Sequence, residues 1–230
     1  MKNKVLCIQF LRKSILLISV MIIVSNIAVA QDSIQPKRIS PSIPIELMAG
    51  NNRLVFQLII NKYFSPKTKF GFFSVSALAA DYKNERTNND FLNIALLNYE
   101  IVKGFKVAAG IAANSTWGFR PMAGLQYIFA NPKFLVVIMP SFYLTETHNF
   151  EPLVILEYKP KLKNNWSLYS RLQGLYSHNL STNKHDRSYG NARLGVSYKK
   201  FGFGFATNLD WYGPMKIFKQ NYGIFLRTSL

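Results

Sequence analysis

The side chains best suited to covalent or metal chemistry are few. The chain has three histidines, and its single cysteine, Cys7, sits in the first thirteen residues. His178 and Ser181, in the run Ser-His-Asn-Leu-Ser-Thr-Asn over 177–183, are a candidate base and nucleophile. Their offset of three does not place both on one face of a strand, where same-face neighbours are two apart. No group nearby orients the imidazole as a base–orienter pair requires. His178, His185 and Asp186 make an equally sparse metal set, since histidines in polar loops are commonly solvent-exposed. There is no Gly-rich phosphate loop and no Cys-x-x-Cys pair. The sequence therefore predicts no catalytic, cofactor-binding or metal site.

What remains is a set of polar and charged residues spaced at every second position among apolar ones. Phe105 to Asn114 shows the pattern. Phe105, Val107, Ala109, Ile111 and Ala113 are apolar, and Lys106, Ala108, Gly110, Ala112 and Asn114 are small or hydrophilic. A period of two gives a strand with one greasy face. Apolar, alternating or aromatic segments of this kind fall at 43–50, 53–63, 69–82, 90–102, 104–115, 118–130, 133–146, 150–160, 165–177, 188–199, 201–211 and 219–230. Many approach the ~9–11 residues that a tilted membrane strand needs.

The connections alternate in length. Those at Ser65-Pro66-Lys67, Lys103-Gly104, Asn131-Pro132, 161–164 and Lys199-Lys200 are short. Those at 83–89, 178–187 and 213–219 are longer, with 178–187 the longest, and Thr147-His148 is moderate. Outer-membrane barrels have short periplasmic turns and longer outer loops. The short turns are assigned to the periplasm, and an even strand count then makes the weak 43–50 segment the first strand. Aromatic residues including Tyr63, Phe70, Phe91, Phe105, Trp117, Phe119, Phe134, Tyr158, Trp166, Tyr176, Tyr189, Tyr198, Phe201, Trp211 and Tyr212 gather at segment ends, as two interfacial girdles require. The expected fold is all-β: a transmembrane antiparallel up-and-down β-barrel of about twelve strands.

Composition agrees. Apolar residues make up 49% of the 230 and charged residues only 17%, with the apolar ones dispersed in alternation. One continuous apolar run, Ser14 to Val24, follows a basic start and precedes Ala28-Val29-Ala30, the small-x-small pattern of a signal-peptidase site. The expected organisation is a cleaved signal peptide over 1–30, an extended proline-bearing lead-in over 31–42, and the barrel over 43–230. Lys2, Lys4, Arg12 and Lys13 leave with the signal, which takes the formal +17 to +13. The mature chain has no thiol for a disulfide or for cysteine catalysis. A pI near 10 raises nucleic acid as a partner, but an exported barrel would not meet it. Lysines such as Lys62, Lys67, Lys103, Lys106, Lys133, Lys161 and Lys199 collect at the short turns. A basic rim there suits anionic phospholipid, at ~1 kcal/mol per lysine near the surface.

At the C-terminus Tyr222, Ile224, Leu226 and Leu230 are apolar at alternating places counted back from the last residue. This resembles the terminal-strand signal of Gram-negative outer-membrane barrel proteins, although those usually end in Phe and Thr228 interrupts the alternation here. The resemblance implies the outer membrane as location, its lipids as surroundings, and the barrel-insertion machinery as a partner during biogenesis. The Ser181–His178 spacing departs from the tight His-x-Ser-Asn arrangement of outer-membrane lipases, so the chain is expected not to be an enzyme.

If Val107 and Ile111 face lipid, the opposite parity faces the lumen. Its polar candidates are Glu100, Lys106, Asn114, Arg120, Gln126, Glu151, Glu157, Arg171, Gln173, Asn191, Arg193, Asn208, Asp210 and Arg227. Both signs of charge in one interior imply a salt-bridged polar lumen. A glycine-closed hairpin at Lys103-Gly104 would set Glu100 opposite Lys106. A tight turn at Lys200-Phe201 would set Arg193 opposite Asn208 and diagonal to Asp210. The small inward residues at 108, 110 and 112 leave room for a solute or for a larger side chain opposite. The function expected is a narrow pore or passive channel for small solutes. The alternatives are a closed barrel with a structural or surface-interaction role, with loops 83–89, 178–187 and 213–219 as its contact face, and a lipid-modifying hydrolase.

Overall fold

The computed structural model describes residues 40–83, 85 and 88–230. The signal peptide expected over 1–30 and most of the lead-in expected over 31–42 lie outside the described residues. Twelve strands run in order: β1 (Pro44–Gly50), β2 (Arg53–Tyr63), β3 (Phe70–Asp81), β4 (Asp90–Val102), β5 (Phe105–Asn114), β6 (Gly118–Ala130), β7 (Phe134–Tyr143), β8 (Phe150–Tyr158), β9 (Trp166–Asn179), β10 (Lys184–Tyr198), β11 (Phe201–Tyr212) and β12 (Ile217–Ser229). Each pairs antiparallel with its chain neighbours, and β1 pairs with β12 to close the barrel. The short 43–50 segment is thus the closing strand, with Glu46 opposite Arg227 on one side and Gln57 on the other. Closure leaves no unpaired strand edge, which a wall solvated by hydrocarbon requires.

The turns follow local chemistry. Gly104 takes a φ of 84°, and a register shift between Glu100 and Val102 marks a bulged hairpin that sets Glu100 opposite Lys106, as expected. The β10–β11 turn is centred instead on Lys199-Lys200, with Lys199 at a φ of 55° and Tyr198 facing Phe201. Arg193 therefore lies opposite Ala206, and Asn208 opposite Asn191. This corrects the expected Arg193–Asn208 register, because one residue of slip at a hairpin moves every partner along it. The segment 178–187 is not a long loop either. β9 and β10 extend into it, His178 pairs with His185, and only 180–183 turn. At β10–β11, Gly195 lies opposite Gly204, where an added Cβ at Gly195 would collide with the Phe203 carbonyl. The close approach of the two backbones there leaves room only for glycine.

The outer wall is apolar. Leu47, Leu97, Ile111, Leu125, Leu172, Leu194, Phe205 and Ile224 all stand exposed on it. Directly paired aromatic residues ring it at two levels. Phe70–Tyr99, Phe105–Tyr127, Phe134–Tyr158 and Trp166–Tyr198 contact at 4.9, 4.6, 4.8 and 5.1 Å on the short-turn side. Phe142–Phe150 and Trp211–Phe218, at 5.0 and 5.2 Å, lie on the loop side. Phe134 and Phe142 are eight residues apart on β7, about 26 Å along the strand at ~3.3 Å per residue. With a barrel tilt of about 40° this spans roughly 20 Å of thickness, close to the ~25 Å band of a membrane barrel. Not every end-of-strand aromatic belongs to a girdle: Tyr63, Tyr189 and Tyr212 bond polar partners inside the barrel.

The interior is not uniformly polar, which changes the expected lumen. Phe73, Val75, Leu92, Ile94, Leu96, Val137, Met139, Leu153 and Ile155 are buried in one apolar cluster on the β2–β9 side. Ala108 and Ala112 belong to the same cluster, so the space left by these small residues is taken by larger neighbours. Runs such as Leu-Val-Val-Ile-Met in β7 and Leu-Val-Ile-Leu in β8 are apolar on both faces, so one face meets the membrane and the other this internal core.

Candidate functional site: a polar column inside the barrel

Beside this apolar sector, charged and amide side chains from β8 to β12, β1 and β2 form a column along the barrel, with a smaller apolar cluster of Met48, Val55, Tyr169, Ala206 and Phe225 packed among them. At its short-turn end Glu157 accepts from Lys159 at 2.7 Å and from the Tyr169 hydroxyl at 3.1 Å, with Arg227 Nη1 at 3.9 Å. The Arg227 guanidinium lies 4.0 Å over the Tyr169 ring. Further in, Glu46 Oε1 accepts from Arg171 Nη2 and Arg193 Nε, each at 2.7 Å. Glu46 is on β1 and Arg171 on β9, four strands apart round the wall, so this bond crosses the lumen. Arg193 Nη1 also donates to the Thr207 carbonyl at 3.0 Å and to Asn208 Oδ1 at 2.8 Å. The register correction thus leaves Arg193 and Asn208 in contact, diagonally.

At the loop end a second set of ion pairs spans the whole lumen. Arg187 Nη2 lies 2.6 Å from Asp90 Oδ2 and 3.4 Å from Asp210 Oδ1. Arg53 Nη2 holds Asp210 Oδ2 at 2.9 Å, and the Tyr212 hydroxyl donates to Asp90 at 2.9 Å. Asp90 on β4 and Arg187 on β10 are diametrically opposed in the twelve-strand order. Between the two sets lies a cavity of about 40 Å³, lined in part by Gln57, Tyr189, Asn191, Arg193 and Asn208. A cavity needs ~10–15 Å³ to admit a water, so this one has room for water. Gln57 Oε1, Asn191 Oδ1 and Arg187 Nε have no protein partner, and water is the partner such groups take in a polar cavity.

Of the sequence candidates, Glu157, Arg171, Arg193, Asn208, Asp210 and Arg227 come together in this column. Gln173 donates to the Tyr189 hydroxyl at 3.0 Å beside it. Glu100 and Lys106 form a separate buried cluster with Tyr63, whose ring lies 4.2 Å from Lys106 Nζ and whose hydroxyl donates to Glu100 at 3.1 Å. Lys106 is thus inside the barrel and not part of the basic rim. Gln126 accepts from Asn98 at 3.3 Å, and Glu151 from the Tyr143 hydroxyl at 2.8 Å. Arg120 is half-buried near the loop end, stacked 4.3 Å over Trp117. Glu46, Arg53, Asp90 and Arg187 are the members that sequence reasoning missed. Glu46 alone carried a signal, as a single acid at the inward parity of an apolar strand.

The histidines are placed differently from expectation, with His178 and His185 in strands. His178 Nε2 lies 3.0 Å from Asn183 Oδ1, whereas Ser181 lies 3.5 Å from Nδ1 of His148. That same Nδ1 is 3.0 Å from the Glu146 carbonyl. A nitrogen that donates to a carbonyl has no lone pair with which to take a serine proton, so the pair is not a nucleophile and base. Among the described residues, no group of three or more His, Cys, Asp or Glu is placed to hold a metal ion.

The fold and column together define a closed, twelve-stranded membrane-type barrel with a charged interior sector. No family model matches the chain, and no curated protein matches it. Solved structures similar to it include the NanC porin, at 10% identity and a TM-score of 0.48, covering 82% of this chain and 100% of that one. The KdgM porin is 14% identical with a TM-score of 0.44, covering 83% and 99%. Pseudomonas aeruginosa OpdL is 14% identical with a TM-score of 0.39, covering 74% and 65%. At these identities the likeness concerns the fold.

Proposed function

We propose that the protein is an integral outer-membrane barrel that passes small polar solutes along the polar column, closed in this conformation by the cross-lumen ion pairs. The observation that carries this reading is the continuity of the column. It runs from Glu157 and Arg227 at the short-turn end, past Glu46, Arg171 and Arg193, to Arg187 and Asp90 at the loop end. Polar side chains with unpartnered atoms beside a water-sized cavity support a hydrated path, because a purely structural interior is better served by apolar packing than by buried charges. Lipids of the outer membrane surround the girdled wall, and the lysine rim at the short turns meets their headgroups. The insertion machinery reads β12, whose pairing with β1 closes the barrel. No catalysis is assigned.

A second reading, a closed barrel with a structural or surface-interaction role, is favoured by the apolar cluster that fills the other sector. Planar-bilayer recording of purified, heat-modifiable protein separates the two. Stepwise currents support the channel, and their absence both in the native protein and in Arg187→Ala supports the structural barrel.

A further inference from the structure

The outer wall at β3–β5 carries an amide for which a hydrocarbon bilayer is a poor solvent. On β3, β4 and β5, below the loop-side aromatic level, Ser74, Ser76, Asn93, Ala95 and Ala113 are adjacent through the strand register. Ser76 faces Asn93, Ser74 faces Ala95, and Asn93 faces Ala113. They point outward, because their chain neighbours Phe73, Val75, Leu92 and Ile94 point into the core. The group forms a dent. Leu78, Leu97, Ile111 and Phe119 stand exposed around it, while Ser74 on its floor is only 7% exposed and Ala113 only 4%. Neither the Ser74 hydroxyl nor the Asn93 amide has a side-chain hydrogen bond to any described residue. Asn93 lies one outward position below Phe91, inside the apolar band.

We propose that this dent is a homodimer interface, in which a second copy of the chain seats its own dent across a twofold axis. Acyl chains offer an unpartnered amide nothing, and small residues with Ser or Asn are what lets membrane segments approach closely and bond. The partner is a second copy because the amide is self-complementary. It carries both N–H donors and a carbonyl acceptor, so two Asn93 side chains facing each other through a twofold close two N–H···O bonds. The raised apolar rim then packs against its own counterpart around that polar centre. The opposite wall, at Leu172, Leu194, Phe205 and Tyr222, carries the hydroxyls of Ser170 and Thr207, the latter also without a partner, but no amide, so it does not offer the same paired donor and acceptor.

The test uses the full mature barrel in detergent and in lipid bilayers, with heat-modifiable migration confirming the fold of every variant. Because an isologous interface puts residue 93 against itself, Asn93→Cys is expected to form a disulfide-linked dimer on mild oxidation. Thr207→Cys, on the opposite wall, is expected to stay monomeric. Asn93→Leu, folded and heat-modifiable, is expected to weaken dimerisation roughly tenfold by sedimentation, as follows from losing two membrane hydrogen bonds of ~0.6 kcal/mol each. Monomeric native protein at all protein-to-lipid ratios overturns the proposal. So does a Thr207→Cys dimer formed in place of the Asn93→Cys one, or a ladder of higher oligomers through residue 93.

Discussion

Removing Arg187 is the most informative perturbation of the column. Its guanidinium ties Asp90, directly across the barrel, to Asp210, with its side chain 14% exposed and that of Asp90 10%. Breaking a buried pair by deleting one partner costs ~3–5 kcal/mol, because the remaining charge stays buried. Here Asp90 keeps the Tyr212 hydroxyl and Asp210 keeps Arg53, so the lower end applies, about 3 kcal/mol for Arg187→Ala. Asp90→Asn combined with Arg187→Gln removes both charges while retaining polar groups, and should recover about half of that loss or more. The assay is denaturant unfolding in lipid, followed by the heat-modifiable band, with Asp90→Asn and Arg187→Gln also measured singly so that they close a double-mutant cycle with the pair. A coupling of about 1.5 kcal/mol or more is expected, together with a higher single-channel conductance in Arg187→Ala, whose truncation removes the bar across the loop-side mouth. A coupling under ~0.5 kcal/mol with unchanged conductance would refute the idea that this pair closes the lumen.

Glu46→Gln should be at least as damaging to stability, since one carboxylate oxygen serves both Arg171 and Arg193. A loss of about 3–5 kcal/mol is expected in the same unfolding assay. Leu153→Ala, in the apolar sector, should cost about 2–5 kcal/mol through a dry cavity and leave ion selectivity in bilayer recordings unchanged, because the residue lies away from the polar column.

Much of the architecture was legible in the sequence because a barrel wall is a local object. Period-two alternation fixes which face of each strand is apolar, and alternating connection lengths order the strands up and down. Gly104 in the left-handed position of a bulged hairpin was enough to place Glu100 against Lys106. The weak 43–50 segment was recognised as a strand by parity alone, and its pairing with β12 is what closes the sheet. Sequence was less informative where a single residue of register mattered. The short connection at Lys199-Lys200 was legible, but the pairing drawn across it assumed a turn one residue further on, and that was enough to misplace Arg193. The strands at 178–187 were hidden by polar composition, since Ser177, His185 and Arg187 face a polar interior and leave no alternation to detect.

By itself the sequence determined a strand-and-turn rhythm and an apolar face for each strand, all properties of neighbours in the chain. Only the tertiary structure decided what those faces enclose. Asp90 meets Arg187, and Glu46 meets Arg171, because closing twelve strands brings opposite walls within a side chain's reach. Partners separated by about a hundred residues leave no imprint on local spacing. The same closure gathers most of the interior's apolar side chains into one core and its charges into a column beside it, with Met48, Val55 and Phe225 packed among the charged groups. It also leaves Asn93 facing outward, on a wall whose alternation alone would have made it look like any other strand.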